Sequence, residues 1–355
     1  MPAKLRMLFA VGWLFSPVYS LLMRLRAWLY RQGVFCKSER LPVPVVSIGN
    51  LTLGGTGKTP LVLYVTRQLL AMGRKPVIVS RGYGGTVKEA VNVVSDGNAV
   101  LLSATEAGDE PLLLAASLPG VPVLVGPRRA VVGRAALERF PVDTVVLDDG
   151  FQHLALARDL DLVLFSARTL LGNGRVFPGG PLREPFGALA RAHGFVITGV
   201  DRETRREAGT FKQLLANLFP DKPVFMGEYL PSCLLHSQHA KTYAIDKARR
   251  LPLYGFAGIA NPDSFRHTLE KERFLLTGFV GYPDHHRYSA ADVDGLIAAA
   301  RARRAAALVT TEKDYVKLAP FFKEFPILAL RVELFMEEEF DLFLAQRMIG
   351  KQPRP

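Results

Sequence analysis

The segment Gly54-Gly55-Thr56-Gly57-Lys58-Thr59 constrains this chain more than any other. An apolar run at residues 43–49 leads into it, and a helix-length amphipathic stretch at 60–70 follows. In a strand–turn–helix context, glycines let successive backbone N–H groups turn inward on phosphate oxygens. Lys58 is then placed to reach β and γ phosphates, Thr59 to offer its hydroxyl to Mg²⁺, and the helix to add its positive N-terminal end. The strict phosphate-loop pattern has glycine five residues before Gly57, whereas this chain has Thr52. An atypical loop is therefore expected.

The surrounding sequence supplies a matching scaffold. Further apolar runs fall at 76–80, 91–94, 121–125, 144–147, 160–165 and 195–198, with a second amphipathic stretch at 128–140. Near-continuous Val/Ile/Leu runs suit strands covered on both faces, and their alternation with helices predicts a doubly wound, mostly parallel α/β sheet of the phosphate-loop type. The run Val145-Val146-Leu147-Asp148-Asp149-Gly150 ends in acid, the arrangement that holds Mg²⁺ beside bound phosphates. Two adjacent carboxylates repel each other unless a cation or donor sits between them, and Gln152 and His153 add donors at the same edge. Arg81-Gly82-Tyr83-Gly84-Gly85, Gly108-Asp109-Glu110-Pro111, Gly126-Pro127-Arg128-Arg129 and Pro181-Leu182-Arg183-Glu184-Pro185 fall at predicted strand ends or in loops. Alone, each reads equally well as a turn, an N-cap or a surface ion pair. Together they would line the C-terminal edge of the sheet, where open α/β folds bind ligands.

Charge and composition narrow the partners. The 355 residues carry 45 Lys+Arg against 33 Asp+Glu, a net +12, and 49% of them are hydrophobic. That excludes a disordered chain and points to an anionic partner: nucleic acid, membrane surface or phosphorylated ligand. Two cysteines, Cys36 and Cys233, exclude a disulfide-stapled module and suit a reducing compartment. Residues 7–23 carry no charge but include Gly12 and Pro17. As a helix they would span about 25 Å, short of the ~30 Å hydrocarbon core. No small-residue cleavage site follows, so a signal peptide is disfavoured. On a helical wheel Leu21, Leu22, Leu25, Trp28 and Leu29 fill one arc flanked by Arg24, Arg26 and Arg31. This suits a helix lying in a membrane interface; the other reading is a helix docked on the protein's own core.

The last third reads as a smaller α/β lobe. Apolar runs recur at 254–259, 275–282 and 306–311, with helices expected at 291–303 and 336–349. The predicted organisation is a membrane-associated helix (1–35), a nucleotide-binding domain (36–229), a polar linker (230–250) and the smaller lobe (251–355). Tyr282-Pro283-Asp284-His285-His286-Arg287-Tyr288 is rich in titratable groups. A solvated turn, a metal site and a catalytic or substrate role at an interdomain cleft are all open to it. No Cys-rich or His-x-x-x-His partner set accompanies it, which weighs against zinc.

The ordered motifs Gly-Gly-Thr-Gly-Lys-Thr-Pro, Arg-Gly-Tyr-Gly-Gly, Gly-Asp-Glu-Pro, Asp-Asp-Gly-Phe-Gln-His, Leu-Arg-Glu-Pro and Asp-His-His resemble those of the tetraacyldisaccharide 4′-kinases of lipid A biosynthesis, over nearly the whole chain. In that family the altered phosphate loop is the usual form. The resemblance implies a Gram-negative enzyme on the cytoplasmic face of the inner membrane. Such an enzyme transfers the γ-phosphate of ATP to the 4′-hydroxyl of a tetraacylated disaccharide 1-phosphate, forming lipid IVA. It implies Asp109 as the base, paired with a histidine of Asp284-His285-His286, His285 before His286. Because the two partners lie in different lobes, the lobes must close for them to meet. Gly54, Gly55, Thr56, Gly57, Lys58 and Thr59 would hold ATP, and Thr59, Asp148 and Glu184 the Mg²⁺. Arg81, Tyr83, Arg128, Arg129, Asp149, His153 and His286 are candidates for binding the acceptor or ordering the site. Two rivals differ in class. A membrane-bound NTPase switch usually carries a guanine-reading Asn-Lys-x-Asp segment, absent here; a nucleic-acid-binding ATPase would interleave aromatics with Lys/Arg on one face, a pattern found here only in the oily N-terminal helix.

Overall fold

The computed structural model describes residues 9–33, 37–54, 56–259, 261–322 and 324–349. Expectations resting on Lys4, Arg6, Cys36 and Gly55, and on the first residues of the uncharged 7–23 stretch, lie outside the described residues.

All seven strands expected before residue 200 form: β1 (Val45–Asn50), β2 (Pro76–Ser80), β3 (Asn92–Asp96), β4 (Pro122–Val125), β5 (Thr144–Asp148), β6 (Leu160–Ser166) and β7 (Gly194–Thr198). Then come β8 (Val224–His236), β9 (His239–Tyr243), β10 (Pro252–Ala257), β11 (Leu275–Gly281), β12 (Ala307–Thr311) and β13 (Ile327–Met336). The principal helices are α1 (Ser16–Gln32), α2 (Lys58–Ala71), α3 (Asp109–Ser117), α4 (Arg129–Arg139), α5 (Arg205–Leu218), α6 (Pro262–Lys271), α7 (Ala290–Ala302), α8 (Glu312–Leu318) and α9 (Glu338–Met348).

The strands join into a single sheet in the order β11-β10-β12-β13-β8-β7-β6-β1-β5-β2-β4-β3, with β9 paired to β8. Pairing is parallel except for β3–β4, β8–β13 and β8–β9. β1 sits between β5 and β6. The connection from β1 to β2 passes over β5 and that from β5 to β6 passes back over β1, so the C-terminal ends of β1 and β5 open a crevice at a topological switch point. The sheet is covered on both faces, as its unbroken apolar strands require. Val46 and Ile48 pack with Leu61, Val65 and Leu69 of α2 and with Phe340 and Leu344 of α9. Val45 faces the other way, into a layer with Val132 and Ala136 of α4.

The structure corrects the expected linker. Residues 230–250 form most of the long strand β8, all of β9, and a helical turn at Ile245–Ala248. β7 pairs only with Val224–Gly227 of β8, and β12 only with Ile327–Leu330 of β13. Between these contacts, β8 and β13 pair with each other alone, forming a two-stranded neck. Half-exposed on both faces, the neck has no apolar periodicity to betray it in the sequence. The two lobes therefore share one sheet.

Among the described residues no helix is long and apolar enough to cross a membrane. α1 touches the body at few points. Ser16 Oγ donates to Val176 O at 2.6 Å, Tyr19 meets Phe177 edge-on, and Arg26 donates to Gln152 O at 3.0 Å. Leu21, Leu22, Leu25 and Trp28 of the predicted apolar arc are exposed, so most of that arc is not spent on the protein's own core.

Candidate active site

The phosphate loop leaves β1 and enters α2 at the crevice. Gly57 has φ +77°, the left-handed region, and a Cβ there would overlap the Tyr229 hydroxyl of β8. Only glycine fits both the turn and the close approach. Thr198 Oγ1, at the end of β7, donates to Thr56 O at 2.7 Å and fixes the loop from the same side. The unusual Thr52 is buried and bridges Leu182, while Leu53 N donates to Pro181 O and Arg183 N to Leu51 O, both at 2.7 Å. This explains the departure from the strict pattern: the first part of the loop is stitched to the 181–183 segment by backbone hydrogen bonds, so it does not need glycine at 52. Gly54 also has a positive φ, +107°.

Lys58 Nζ lies 3.4 Å from Asn50 Oδ1 and 3.7 Å from Asp149 Oδ1. Asp148 and Asp149 fare differently. Asp148 Oδ2 accepts from Ser80 Oγ at 2.9 Å, while its Oδ1 is buried with no hydrogen-bond partner. Burial, reinforced by the charges of Glu110 and Asp149, pushes the Asp148 carboxyl up to about 7. Burial would raise Asp149 too, but Lys58 and Arg183 hold it below the ordinary carboxylate range. Arg183 Nη1 donates to both its oxygens, at 3.1 and 2.9 Å. A buried carboxylate with one orphaned oxygen, at the end of the strand beside a phosphate loop, suits a divalent cation. Glu184 does not join this pair: it is buried and accepts from Arg191 Nη2 at 3.0 Å. Among the described residues no three His, Cys, Asp or Glu side chains converge as a metal cage. A cation here would rest on Asp148, the Thr59 hydroxyl and oxygens of a bound phosphate, the sparse protein ligation usual for Mg²⁺.

The second lobe brings His285 to Asp109. Its Nδ1 lies 3.1 Å from Asp109 Oδ2, and Tyr83 meets the ring edge-on. His285 has φ +58°, a conformation histidine tolerates better than most residues, and its backbone N–H donates to Asp284 Oδ1. That kink turns the ring toward the first lobe. His286 turns the other way, stacking on Tyr282 at 4.5 Å and meeting Tyr288 edge-on. The structure thus pairs Asp109 with His285, and places His286 in an aromatic cluster of the second lobe. Asp109 begins α3 behind Gly108, whose φ of +94° leaves no room for a Cβ against Tyr83 O. It also lies near the acid pair, since Glu110, the next residue, is close enough to raise Asp148.

Sequence reasoning missed Lys317. Its side chain is 5% exposed, with Nζ 2.7 Å from Asp314 Oδ1, 3.7 Å from Asp109 Oδ2 and 3.2 Å from His286 O. A lone lysine one helical turn beyond Asp314 carries no motif in the sequence. Ser80 and Asn50, at the ends of β2 and β1, were missed for the same reason.

A basic group completes the edge. Arg129 is buried, its Nη1 donating to Pro127 O at 3.2 Å; burial and the charge of Arg81 lower its proton affinity. Burial and then Arg129, Arg158, Arg26 and Arg81 push His153 down to about 4, so it is neutral near pH 7. Arg81 and Tyr83 are exposed on their glycine-rich loop, and Arg128 is exposed at the start of α4. Arg26 of α1 belongs to the same cluster, which runs between the apolar helix and the crevice.

A phosphate loop, an acid pair, a carboxylate–imidazole contact between lobes and a flanking basic group form a site able to move a phosphoryl group. Comparison with known proteins agrees. The family model described as tetraacyldisaccharide-1-P 4′-kinase matches residues 8–349. Tetraacyldisaccharide 4′-kinase from Desulfotalea psychrophila is 43% identical over 338 residues, covering 95% of this chain and 96% of that one. The protein of the same name from Syntrophus aciditrophicus is 42% identical over 333 residues, covering 89% of each. The crystal structure of LpxK from Aquifex aeolicus in complex with ATP superposes with a TM-score of 0.77 at 32% identity, covering 94% of this chain and 97% of that one. With a model match over nearly the full length and relatives of this identity and coverage, the chain belongs to the tetraacyldisaccharide-1-P 4′-kinase family.

Proposed function

We propose that this crevice binds ATP and transfers its γ-phosphate to the 4′-hydroxyl of a tetraacyldisaccharide 1-phosphate. The observation that carries the reading is the contact between Asp109 and His285, made beside the phosphate loop. Phosphoryl transfer asks mainly for alignment and charge neutralisation. Lys58, the loop N–H groups and the N-terminal end of α2 meet the ATP phosphates, with Asp149 and Arg183 fixing the Lys58 environment. Asp148 and Thr59 would hold Mg²⁺, which when bound neutralises charge on the phosphate oxygens. Asp109 accepts the proton of the attacking hydroxyl. His285 donates from Nδ1 to Asp109 Oδ2, orienting the carboxylate and stabilising its charge. Arg81, Arg128, Arg129 and neutral His153 lie where an anionic acceptor would meet the edge. Tyr83, against His285, closes one side of the acceptor position.

The acceptor is a lipid, and α1 supplies the means to reach it. Its exposed leucines and Trp28, flanked by Arg24 and Arg31, suit a helix embedded in the interface of the cytoplasmic face of the inner membrane, anchoring without spanning.

An assay with γ-labelled ATP and Mg²⁺, with and without the acylated disaccharide 1-phosphate, tests the reading. Label should pass to the lipid. Release of free phosphate with none on the lipid would reject it.

A further inference from the structure

Tyr229 belongs to two parts of the molecule at once. Its backbone lies in the neck, paired with Leu334 of β13 just beyond the stretch of β8 that β7 holds. Its ring packs against the core of the first lobe, and its hydroxyl stands behind the phosphate loop, 3.5 Å from Gly57 O. The fit is close on both sides. A Cβ at Gly57 would overlap the hydroxyl, and one at Gly199 would fall 3.3 Å from the ring edge. Burial pushes the phenol up to about 12, so it keeps its proton and remains a donor.

Thr198 and Tyr229 act on consecutive peptide groups. Thr198 Oγ1 donates to Thr56 O at 2.7 Å, and the Tyr229 hydroxyl donates to Gly57 O. Leu61 N of α2 reaches the same Gly57 oxygen at 3.4 Å, so the hold on it is shared. In a planar trans peptide the C=O and the N–H of the next residue point in opposite directions. Holding Thr56 O from behind therefore turns the Gly57 N–H forward, and holding Gly57 O does the same for the Lys58 N–H. Both hydroxyls stand on the β7–β8 side of β1, so these N–H groups point away from it, toward the crevice between β1 and β5. Gly57 has no side chain to restrict its peptide planes, which makes an outside hold necessary.

We propose that Tyr229 is a positioning residue: with Thr198 it aims the Gly57 and Lys58 N–H groups at the ATP phosphates, and it ties the phosphate loop to the neck. The inference rests on the kinase reading. A second lobe that turns about the neck carries Tyr229 with it, and the loop loses or gains its rear support. By linkage the dependence runs both ways, so a neck setting that favours the binding form of the loop is itself favoured by bound ATP.

Tyr229→Phe tests this, since it keeps the ring and removes only the hydroxyl. Affinity for ATP with Mg²⁺ would be titrated without acceptor, and hydrogen exchange followed in the paired neck segments 228–230 and 333–335. One hydrogen bond is worth about three- to tenfold, so the Kd for ATP should rise by that factor. The KM for the acceptor should change by less than about twofold. Saturating ATP should slow neck exchange in the unmodified protein by about threefold or more, and in the variant by much less. Thr198→Val, which removes the other hydroxyl and leaves the neck alone, should weaken ATP binding and keep the slowing. An unchanged Kd for ATP in Tyr229→Phe would overturn the proposal. So would neck exchange that ignores ATP in the unmodified protein, or that slows equally in the variant. Lost thermal stability with ATP affinity intact would do the same, making the hydroxyl a folding contact. Should Tyr229→Phe fail to fold, the ATP affinity of Thr198→Val and the neck exchange of the unmodified protein decide by the same measures. Unmodified protein that binds no ATP and passes no label to the lipid rejects the kinase reading instead, so the two failures are distinguishable.

Discussion

His285 Nδ1 and Asp109 Oδ2 meet at 3.1 Å although 176 positions separate the residues in the chain. The contact joins the two lobes across the crevice. If Asp109 is the base, Asp109→Asn keeps the shape but removes the proton acceptor. Its kcat should fall by roughly 10²–10⁴ while the KM for ATP changes little. His285→Gln should cost less, because the carboxylate remains. His286→Gln, altering a ring stacked on Tyr282, should lower thermal stability more than kcat. Steady-state kinetics against thermal melts separates these outcomes, and an Asp109→Asn variant that mainly weakens ATP binding would refute the assignment.

Lys317 ties three segments at once: Asp314 on its own helix, the carbonyl of His286, and Asp109 across the lobe boundary. Removing this buried cation leaves fully buried Asp314 without a counter-charge and Asp109 with its His285 hydrogen bond alone, which is costly. Lys317→Met should therefore lower kcat by about tenfold or more and reduce the melting temperature. Lys317→Arg, which keeps the charge, should recover part of both. Equal damage from Met and Arg would point to packing alone.

The exposed arc of α1 makes a separate prediction. Fully burying a leucine side chain is worth roughly 1.5–3 kcal/mol. Replacing Leu21, Leu22 and Leu25 with serine should therefore weaken binding to anionic lipid vesicles by well over tenfold in a flotation or sedimentation assay. Arg24→Ser with Arg31→Ser should give a smaller loss that raised salt erases in the parent protein too. Turnover of a detergent-dispersed acceptor should survive the leucine changes, since none of the three touches the crevice. Unchanged vesicle binding would mean that the arc serves another contact.

What the sequence made legible follows from where its signals are local. Most of the strands β1 to β7 could be read because both sheet faces are covered, so their residues are largely apolar, with the edge strand β3 (Asn-Val-Val-Ser-Asp) the most polar of them. The phosphate loop, Asp148 and Asp109 could be read because each sits at a strand or helix end with a recognisable motif. The neck of β8 and β13 could not, because a half-exposed ribbon alternates without a pattern and its partner lies about a hundred residues away. Lys317 and Ser80 were hidden for a related reason: their importance comes from what the fold sets against them. Glu184 could be read from its motif but its partner could not: the Arg191 guanidinium on its carboxylate comes from a neighbouring turn that carries no signal of its own.

Asp148 yields a prediction whose sign can be worked out. Its carboxyl is pushed up to about 7 in the folded protein, chiefly by burial, against an unfolded value near 3.9. Between those values the folded state holds a proton that the unfolded state has released. Stability from this group is therefore fully present below about pH 4 and is lost as pH rises through about 7. Asp148→Asn, which carries no charge at any pH, should melt higher than the parent protein at pH 8 in the presence of EDTA, with the difference shrinking toward pH 5. Adding Mg²⁺ and ATP should stabilise the parent at pH 8 far more than the variant, because only the parent offers the orphaned Oδ1 as an anionic ligand. Turnover of Asp148→Asn should fall by about 10² or more. If the melting difference instead grows as pH falls, the carboxylate is held by a partner charge, and the reading of Asp148 as a cation ligand waiting in a buried site is wrong.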